Sequence, residues 1–349
     1  MYKKATIAAF VPAKGTSERL QNKNLSIVGG EYLVRRKLKQ LLASKYIDEV
    51  WLDTESDHII NLAKDLPVRF HKRDPKLATN DTDGHQLFQN QAKQTKADIV
   101  IQALATAPFV CSETIDRAIE TLTETDCSSL VAVRKEKTYE WKDRAPNYGW
   151  QKIANSFDLP DRIFETMSLY IVKRHEDGTP IKKRFTQNPY LFELNCREAM
   201  DINTPEDLQV CNALALSERA HASLEIRTLP LWTCTANACD IMVEMGIGGY
   251  LGHKIKPLKE GKSFAGRAKT LGIRPAKAYD KDDWKQVYEA LKSYDFVTPG
   301  DIIVVDNPIE ERAYFGDLNA ALAFRRGCNG VVVNGFTRKQ QSLKIVFNA

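Results

Sequence analysis

Pro12-Ala13-Lys14-Gly15-Thr16-Ser17-Glu18-Arg19-Leu20-Gln21-Asn22-Lys23-Asn24 follows directly on an apolar run over residues 5–11, and this junction decides the fold. The apolar run reads as a buried first strand. A small, Gly-containing loop leaving the carboxyl end of a first strand is where open α/β sheets bind phosphates. Lys14, Arg19 and Lys23 put three cations in or just beyond the loop, which suits a triphosphate. No Gly-Lys-Ser/Thr closes it as in a Walker A loop, and the Gly-x-Gly-x-x-Gly spacing of a dinucleotide fingerprint is missing.

Working outward, strand patterns at 6–11, 49–52, 68–70, 99–104 and 129–133 alternate with helical patterns at 34–44, 56–64, 84–94 and 112–123. That alternation predicts a Rossmann-like α/β unit with a mostly parallel, doubly wound sheet. The stretch 135–149 is polar and rich in Lys, Tyr and Trp without a clean period, which reads as a substrate-covering flap. A further strand is expected at 167–172. In Asp201-Ile202-Asn203-Thr204-Pro205-Glu206-Asp207, Thr204 suits an N-cap, Pro205 the first helical position, and Asp207 lies three residues after the cap. A helix from 205 to about 220 should follow.

The composition then changes, and the chain divides into a first domain over 1–221 and a second, smaller α/β domain over 222–349. The second offers helices at 236–245, 282–293 and 318–326, a Gly-rich turn at Gly246, Gly248 and Gly249, and strands at 300–306 and 330–334.

At 349 residues two domains are the natural expectation. Apolar residues at 43% and charged residues at 27% are ordinary for a globular protein, and no apolar run is long enough to span a membrane. A formal charge of +5 suits small anions and is no nucleic-acid signature, so neither nucleic acid nor a membrane is an expected partner. Seven cysteines, without a Cys-x-x-Cys pair or a zinc pattern, read as small core residues in a reducing compartment. Met1-Tyr2-Lys3-Lys4 leads into the first strand without a signal-peptide pattern, and a cytoplasmic location is expected.

Four stretches together resemble the acylneuraminate cytidylyltransferase family, whose members include the CMP-sialic, CMP-pseudaminic and CMP-3-deoxy-manno-octulosonate synthetases. They are the first-loop segment 12–24, Leu77-Ala78-Thr79, Ala105-Thr106-Ala107-Pro108 and 201–207, and the likeness covers about 5–215. The resemblance implies CTP plus an acidic sugar giving a CMP-sugar and pyrophosphate, with Mg²⁺ as cofactor. It makes Lys14, Lys23 and Asp201 the catalytic set, with Asp201 the protein ligand of the metal. Ala13, Lys14, Gly15, Thr16, Ser17, Arg19, Lys23 and Thr79 would bind the nucleotide. Backbone N–H groups of 13–17 can cradle phosphates while Lys14 and Lys23 supply point charges, and Arg19 can grip a terminal phosphate with two parallel hydrogen bonds. Asn203 stands where many synthetases have a second carboxylate, and Ala105-Thr106 where the octulosonate branch places an acid. Read alone, Asp201 serves equally in a helix-capping turn, and Thr79, Asp81 and Thr82 cap the following helix as readily as they reach base or ribose.

Residues from about 223 onward resemble the regulator of ribonuclease activity A and the 4-hydroxy-4-methyl-2-oxoglutarate aldolases. The carrying stretches are 261–268, 299–306, Gly316-Asp317-Leu318, 325–327 and 330–338. In that family the positions of Gly316, Asp317, Leu318 and Arg338 hold a keto-acid carboxylate. Lys339 stands where a metal-binding aspartate belongs and Ser342 at a second acidic position; a protonated lysine repels Mg²⁺. The expectation is a C-terminally shortened, degenerate module that assembles or senses a small anion and is not an active aldolase. Both families imply a homo-oligomer. Two other readings stand beside CMP-sugar synthesis: a cytidylyltransferase for another acceptor, such as a phosphorylated metabolite, and a non-catalytic assembly or regulatory protein.

Overall fold

The computed structural model describes residues 5–17, 19–175, 177, 181–248, 255, 257, 261–275, 290–309 and 313–337. The chain divides into two units, residues 1–26 with 31–211, and residues 27–30 with 212–349.

In the first unit, strands β1 (Ile7–Pro12), β2 (Glu49–Thr54), β3 (Arg69–Lys72), β4 (Ile99–Ala103), β5 (Ser129–Glu136), β6 (Arg162–Lys173) and β7 (Tyr190–Glu193) form one sheet. Its order is β7-β5-β6-β4-β1-β2-β3. β6 runs antiparallel to β4 and β5, and every other pairing is parallel, as expected of a mostly parallel sheet. Helices α1 (Leu33–Leu42), α2 (Asp57–Leu62), α3 (Gly84–Ala92) and α4 (Ser112–Glu124) complete the crossovers. Ile7, Ala8, Ala9, Phe10 and Val11 are all fully buried, the mark of a central strand covered on both faces. The strand order reverses on either side of β1, so the crevice beyond the carboxyl ends of β1 and β4 is the topological switch point.

β6 begins earlier than the apolar pattern suggested and carries an irregularity between Glu165 and Tyr170, where Met167 adopts φ 49°. The segment after β5 holds a small hairpin, Trp141–Lys142 against Ala145–Pro146, turned through Asp143 and Arg144 at φ 49° and 67°. Helix α5 (Pro205–Thr228) continues past the expected end because no helix breaker intervenes before Pro230. The boundary expected at 222 therefore falls inside a helix.

The second unit takes in residues 27–30 because Asn212 and Arg219 hold the Gly29 peptide, at 2.9 and 2.7 Å. It contains α6 (Thr235–Glu244), β8 (Arg267–Gly272), β9 (Asp301–Asp306), β10 (Ala313–Phe315), α7 (Asp317–Arg325), β11 (Gly330–Asn334) and β12 (Phe336–Thr337). β8, β9 and β11 make a parallel sheet with β9 central, and β10 pairs parallel with β12. The helix expected at 282–293 lies largely outside the described residues.

Candidate active site

The loop after β1 is pinned from beneath by the turn after β2. Ala13 N–H donates to the Asp53 carbonyl at 2.9 Å, continuing the β1–β2 pairing by one residue. Gly15 N–H donates to Glu55 Oε1 at 2.5 Å. Two of the five N–H groups expected to face phosphate, those of Ala13 and Gly15, are thus already engaged. Gly15 is a glycine for reasons of space: a Cβ there would lie 3.0 Å from Ser56 Cβ and 3.2 Å from Glu55 Oε1. Thr16 is exposed and Ser17 half-buried at the loop's outer side.

The expected cations gather around this loop. Lys14 Nζ reaches Asn80 Oδ1 at 2.8 Å, which ties the loop to the segment holding Leu77-Ala78-Thr79. Lys23 opens a short 3-10 turn, Lys23–Leu25, entered through Asn22 in the left-handed region at φ 55°. Burial holds the Lys23 ammonium below the usual lysine range; the carboxylate of Asp201 pulls it back up, while Arg19 and Lys14 push it further down. Lys14, Arg19, Lys23 and Asp201 therefore share one electrostatic neighbourhood.

Asp201 sits beside the switch point. Ile202 N–H donates to the Thr106 carbonyl at 2.9 Å, and Leu104 N–H to the Ser168 carbonyl at 2.9 Å, so the 201–207 turn, the loop after β4 and the irregular part of β6 adjoin one another. Asn203 bridges the two charges: its Nδ2 donates to Asp201 Oδ2 at 2.5 Å, and Lys23 Nζ donates to its Oδ1 at 3.4 Å. Asp201 Oδ1 is buried without a partner. Capping of α5 falls to Thr204 and Asp207, which exchange reciprocal bonds at 2.8 and 3.2 Å, so Asp201 is left free of that task. The loop after β4 is itself held by α1: Arg36 and Gln40 donate to the Pro108 carbonyl at 2.9 and 2.8 Å, and buried Lys37 to that of Val110 at 3.0 Å.

Thr79 is committed to a local turn, its hydroxyl donating to the Lys76 carbonyl at 3.2 Å. The cap of α3 is Asp83, with Gln86 completing a capping box. Lys76, Thr79, Asp81, Thr82 and Gln86 line a cavity of about 590 Å³ next to this turn.

Sequence reasoning passed over the groups under the loop. Arg73 and Asp53 are buried, with Arg73 Nη2 donating to Glu55 Oε2 at 3.1 Å and its Nε 3.7 Å from Asp53 Oδ1. Gln91 donates to Asp53 Oδ2 at 2.6 Å and accepts from Gln102 at 2.7 Å. Burial pushes the Asp53 carboxyl up, against the pull of Arg73. The available signal was an acidic pair, Asp53 and Glu55, at the carboxyl end of a second parallel strand.

In the second unit Gly316 is the N-cap of α7, so Gly316-Asp317-Leu318 opens a helix whose first N–H groups lack intrahelical partners. Arg338, Lys339 and Ser342 lie outside the described residues.

Comparison with known proteins agrees with the two-unit division. The family profile described as Cytidylyltransferase matches residues 8–197, and that described as Aldolase/RraA matches 235–346. An N-acylneuraminate cytidylyltransferase of Oncorhynchus mykiss is 26% identical over 141 residues, covering 40% of this chain and 33% of that protein. A 3-deoxy-manno-octulosonate cytidylyltransferase of Chlorobium phaeobacteroides is 31% identical over 125 residues, covering 35% and 49%. A CMP-N,N'-diacetyllegionaminic acid synthase of Legionella pneumophila is 30% identical over 120 residues, covering 33% and 52%. The chain thus spans about half or less of the length of these curated relatives. Among solved structures, a CMP:2-keto-3-deoxy-manno-octonic acid synthetase complexed with CTP aligns with 61% of this chain and 100% of its own, at 14% identity and TM-score 0.46. With more than half of its residues under the first profile, the chain belongs to the cytidylyltransferase family, and an Aldolase/RraA-like domain is fused behind it.

Proposed function

We propose that the first unit transfers CMP from CTP to an acidic sugar, releasing pyrophosphate. The observation that carries this reading is the unpartnered, buried Asp201 Oδ1 set among Lys14, Arg19 and Lys23 at the switch point. A buried carboxylate oxygen without a partner is costly unless a ligand completes it. The named relatives act on three different acidic sugars, which supports the acceptor class and leaves the particular acid open.

In this reading the acceptor hydroxyl oxygen bonds to the α-phosphorus as the bond to the pyrophosphate oxygen breaks, and negative charge grows on the leaving group. Lys14 and Lys23 stand ready to neutralise that charge, and Arg19 to grip the outer phosphate with its two-pronged geometry. The free N–H groups of Thr16 and Ser17 add donors. The donor set fits Mg²⁺: Asp201 Oδ1 would hold it, with phosphate oxygens and water supplying the other positions. When bound, the ion supplies charge neutralisation at the phosphates.

A cytoplasmic place and a homo-oligomeric state go with this proposal; the seven unpaired cysteines suit a reducing compartment. For the second unit we favour an assembly or small-anion module. The test is pyrophosphate release with CTP and Mg²⁺ across sialic, pseudaminic, legionaminic and octulosonic acids. Turnover with one acid and none with the Lys23→Ala variant is the expected result. Silence across the panel would overturn the acceptor class, and failure to bind CTP at all would overturn the reaction.

A further inference from the structure

The single peptide group joining Lys14 to Gly15 is clamped at both ends. Asn24 Nδ2 donates to its oxygen, the Lys14 carbonyl, at 2.9 Å, and its N–H donates to Glu55 Oε1 at 2.5 Å. A peptide plane held from both sides fixes ψ of Lys14 and φ of Gly15, and with them the direction in which the Lys14 side chain leaves the loop.

A carboxylate under a triphosphate loop is otherwise a hindrance, since it repels the ligand through a medium of reduced dielectric. Here the charge is countered. Glu55 Oε2 accepts from Arg73 at 3.1 Å, Arg73 is 3% exposed, and Arg73 is backed in turn by Asp53, Gln91 and Gln102, all buried. One oxygen of Glu55 is therefore committed to the cation and the other to the loop.

We propose that Glu55 is a positioning residue for CTP: it sets the Lys14–Gly15 peptide so that Lys14 and the outer N–H groups of the loop face the triphosphate, while Arg73 cancels its charge. The proposal rests on the cytidylyltransferase reading of this site. It assigns Gly15 N–H to Glu55 and leaves phosphate recognition to Lys14, Thr16 and Ser17.

The test compares Glu55→Ala, which removes the hydrogen bond, with Glu55→Gln, which keeps an acceptor for Gly15 N–H and drops the charge. KM for CTP is expected to rise about tenfold or more in Glu55→Ala with kcat within about threefold of wild type, and to stay within about threefold in Glu55→Gln. A merely structural role would lower kcat through a smaller folded fraction and leave KM unchanged, which overturns the proposal. Equal rises in KM for both variants overturn it as well, since charge and not the hydrogen bond would then matter. Should Glu55→Ala not fold, Glu55→Asp, one methylene too short to reach the loop, replaces it against Glu55→Gln. Thermal shift with CTP separates the two levels of inference. A wild type that CTP does not stabilise overturns the cytidylyltransferase reading and this proposal with it. A wild type stabilised no more than Glu55→Ala overturns this proposal alone.

Discussion

Asn203 Nδ2 donates to Asp201 Oδ2 at 2.5 Å and leaves Asp201 Oδ1 buried with no partner. One carboxylate oxygen is thus oriented by a neutral amide while the other is held ready. Where a second carboxylate would share the charge of a metal, Asn203 instead links Asp201 to Lys23 through its own oxygen at 3.4 Å.

Asp201→Asn should therefore lower kcat by on the order of a hundredfold or more, because it removes the anionic ligand while the Asn203 contact can persist. Asn203→Asp should act the other way on metal demand, lowering the Mg²⁺ concentration for half-maximal rate by several-fold through the added anionic ligand. Pyrophosphate release titrated with Mg²⁺ reads both. Equal Mg²⁺ dependence in Asn203→Asp and wild type would place the metal away from this turn.

Lys23 gives the site a pH signature. Burial depresses its ammonium, so the charged form is lost at lower pH than for an exposed lysine. Phosphate neutralisation needs that charge, and kcat/KM for CTP should fall on the alkaline side within the depressed range. Lys23→Arg, which stays protonated, should move that limb upward even if its maximal rate is lower. A pH profile of kcat/KM with the same limb in both proteins would assign the titration to another group.

The arrangement of β1 and its loop was legible because a fully buried strand and a cation-bearing loop both leave marks within a dozen residues. The capping of α5 by Thr204 and Asp207 was legible for the same reason. What escaped is carried by contacts between distant segments. Arg73 and Glu55 stand at the ends of different strands, and nothing local marks their pairing. β7, the four-residue edge strand Tyr190–Glu193, follows a proline and is too short for a period to show. β8 reads Arg-Ala-Lys-Thr-Leu-Gly, too polar to announce itself, and becomes a strand by pairing with the apolar β9. α5 outran its expected end because helix stop signals, not composition, set helix length.

Lys37 offers a stability test. It is fully buried on α1, donates to the Val110 carbonyl, and burial brings its ammonium down to about 7. Above that pH the native amine is neutral while the unfolded chain, titrating near 10.5, still holds the proton. The unfolded state then binds more protons, so this group makes stability rise with pH between about 7 and 10.5, and the gain is lost as pH falls toward 7. The slope from one such proton is at most about 1.4 kcal/mol per pH unit. Lys37→Met should flatten that rise relative to wild type in urea unfolding at stepped pH. Parallel curves for the two proteins would mean that Lys37 keeps its charge in the fold.

The second unit presents an N-terminal helix turn at Gly316-Asp317-Leu318 suited to a carboxylate, yet its sequence places Lys339 and Ser342 where its relatives' acids would hold a metal. Carboxylate binding and metal-assisted C–C cleavage are separable: the first needs N–H donors, the second an ion held close enough to draw charge from the keto group. A protonated lysine at the metal position opposes the ion by direct repulsion. With saturating Mg²⁺ and 4-hydroxy-4-methyl-2-oxoglutarate, the full chain should therefore release no pyruvate. Pyruvate released by the wild type and abolished by Gly316→Pro, which cannot offer an N–H at the helix start, would show that the lyase site is intact.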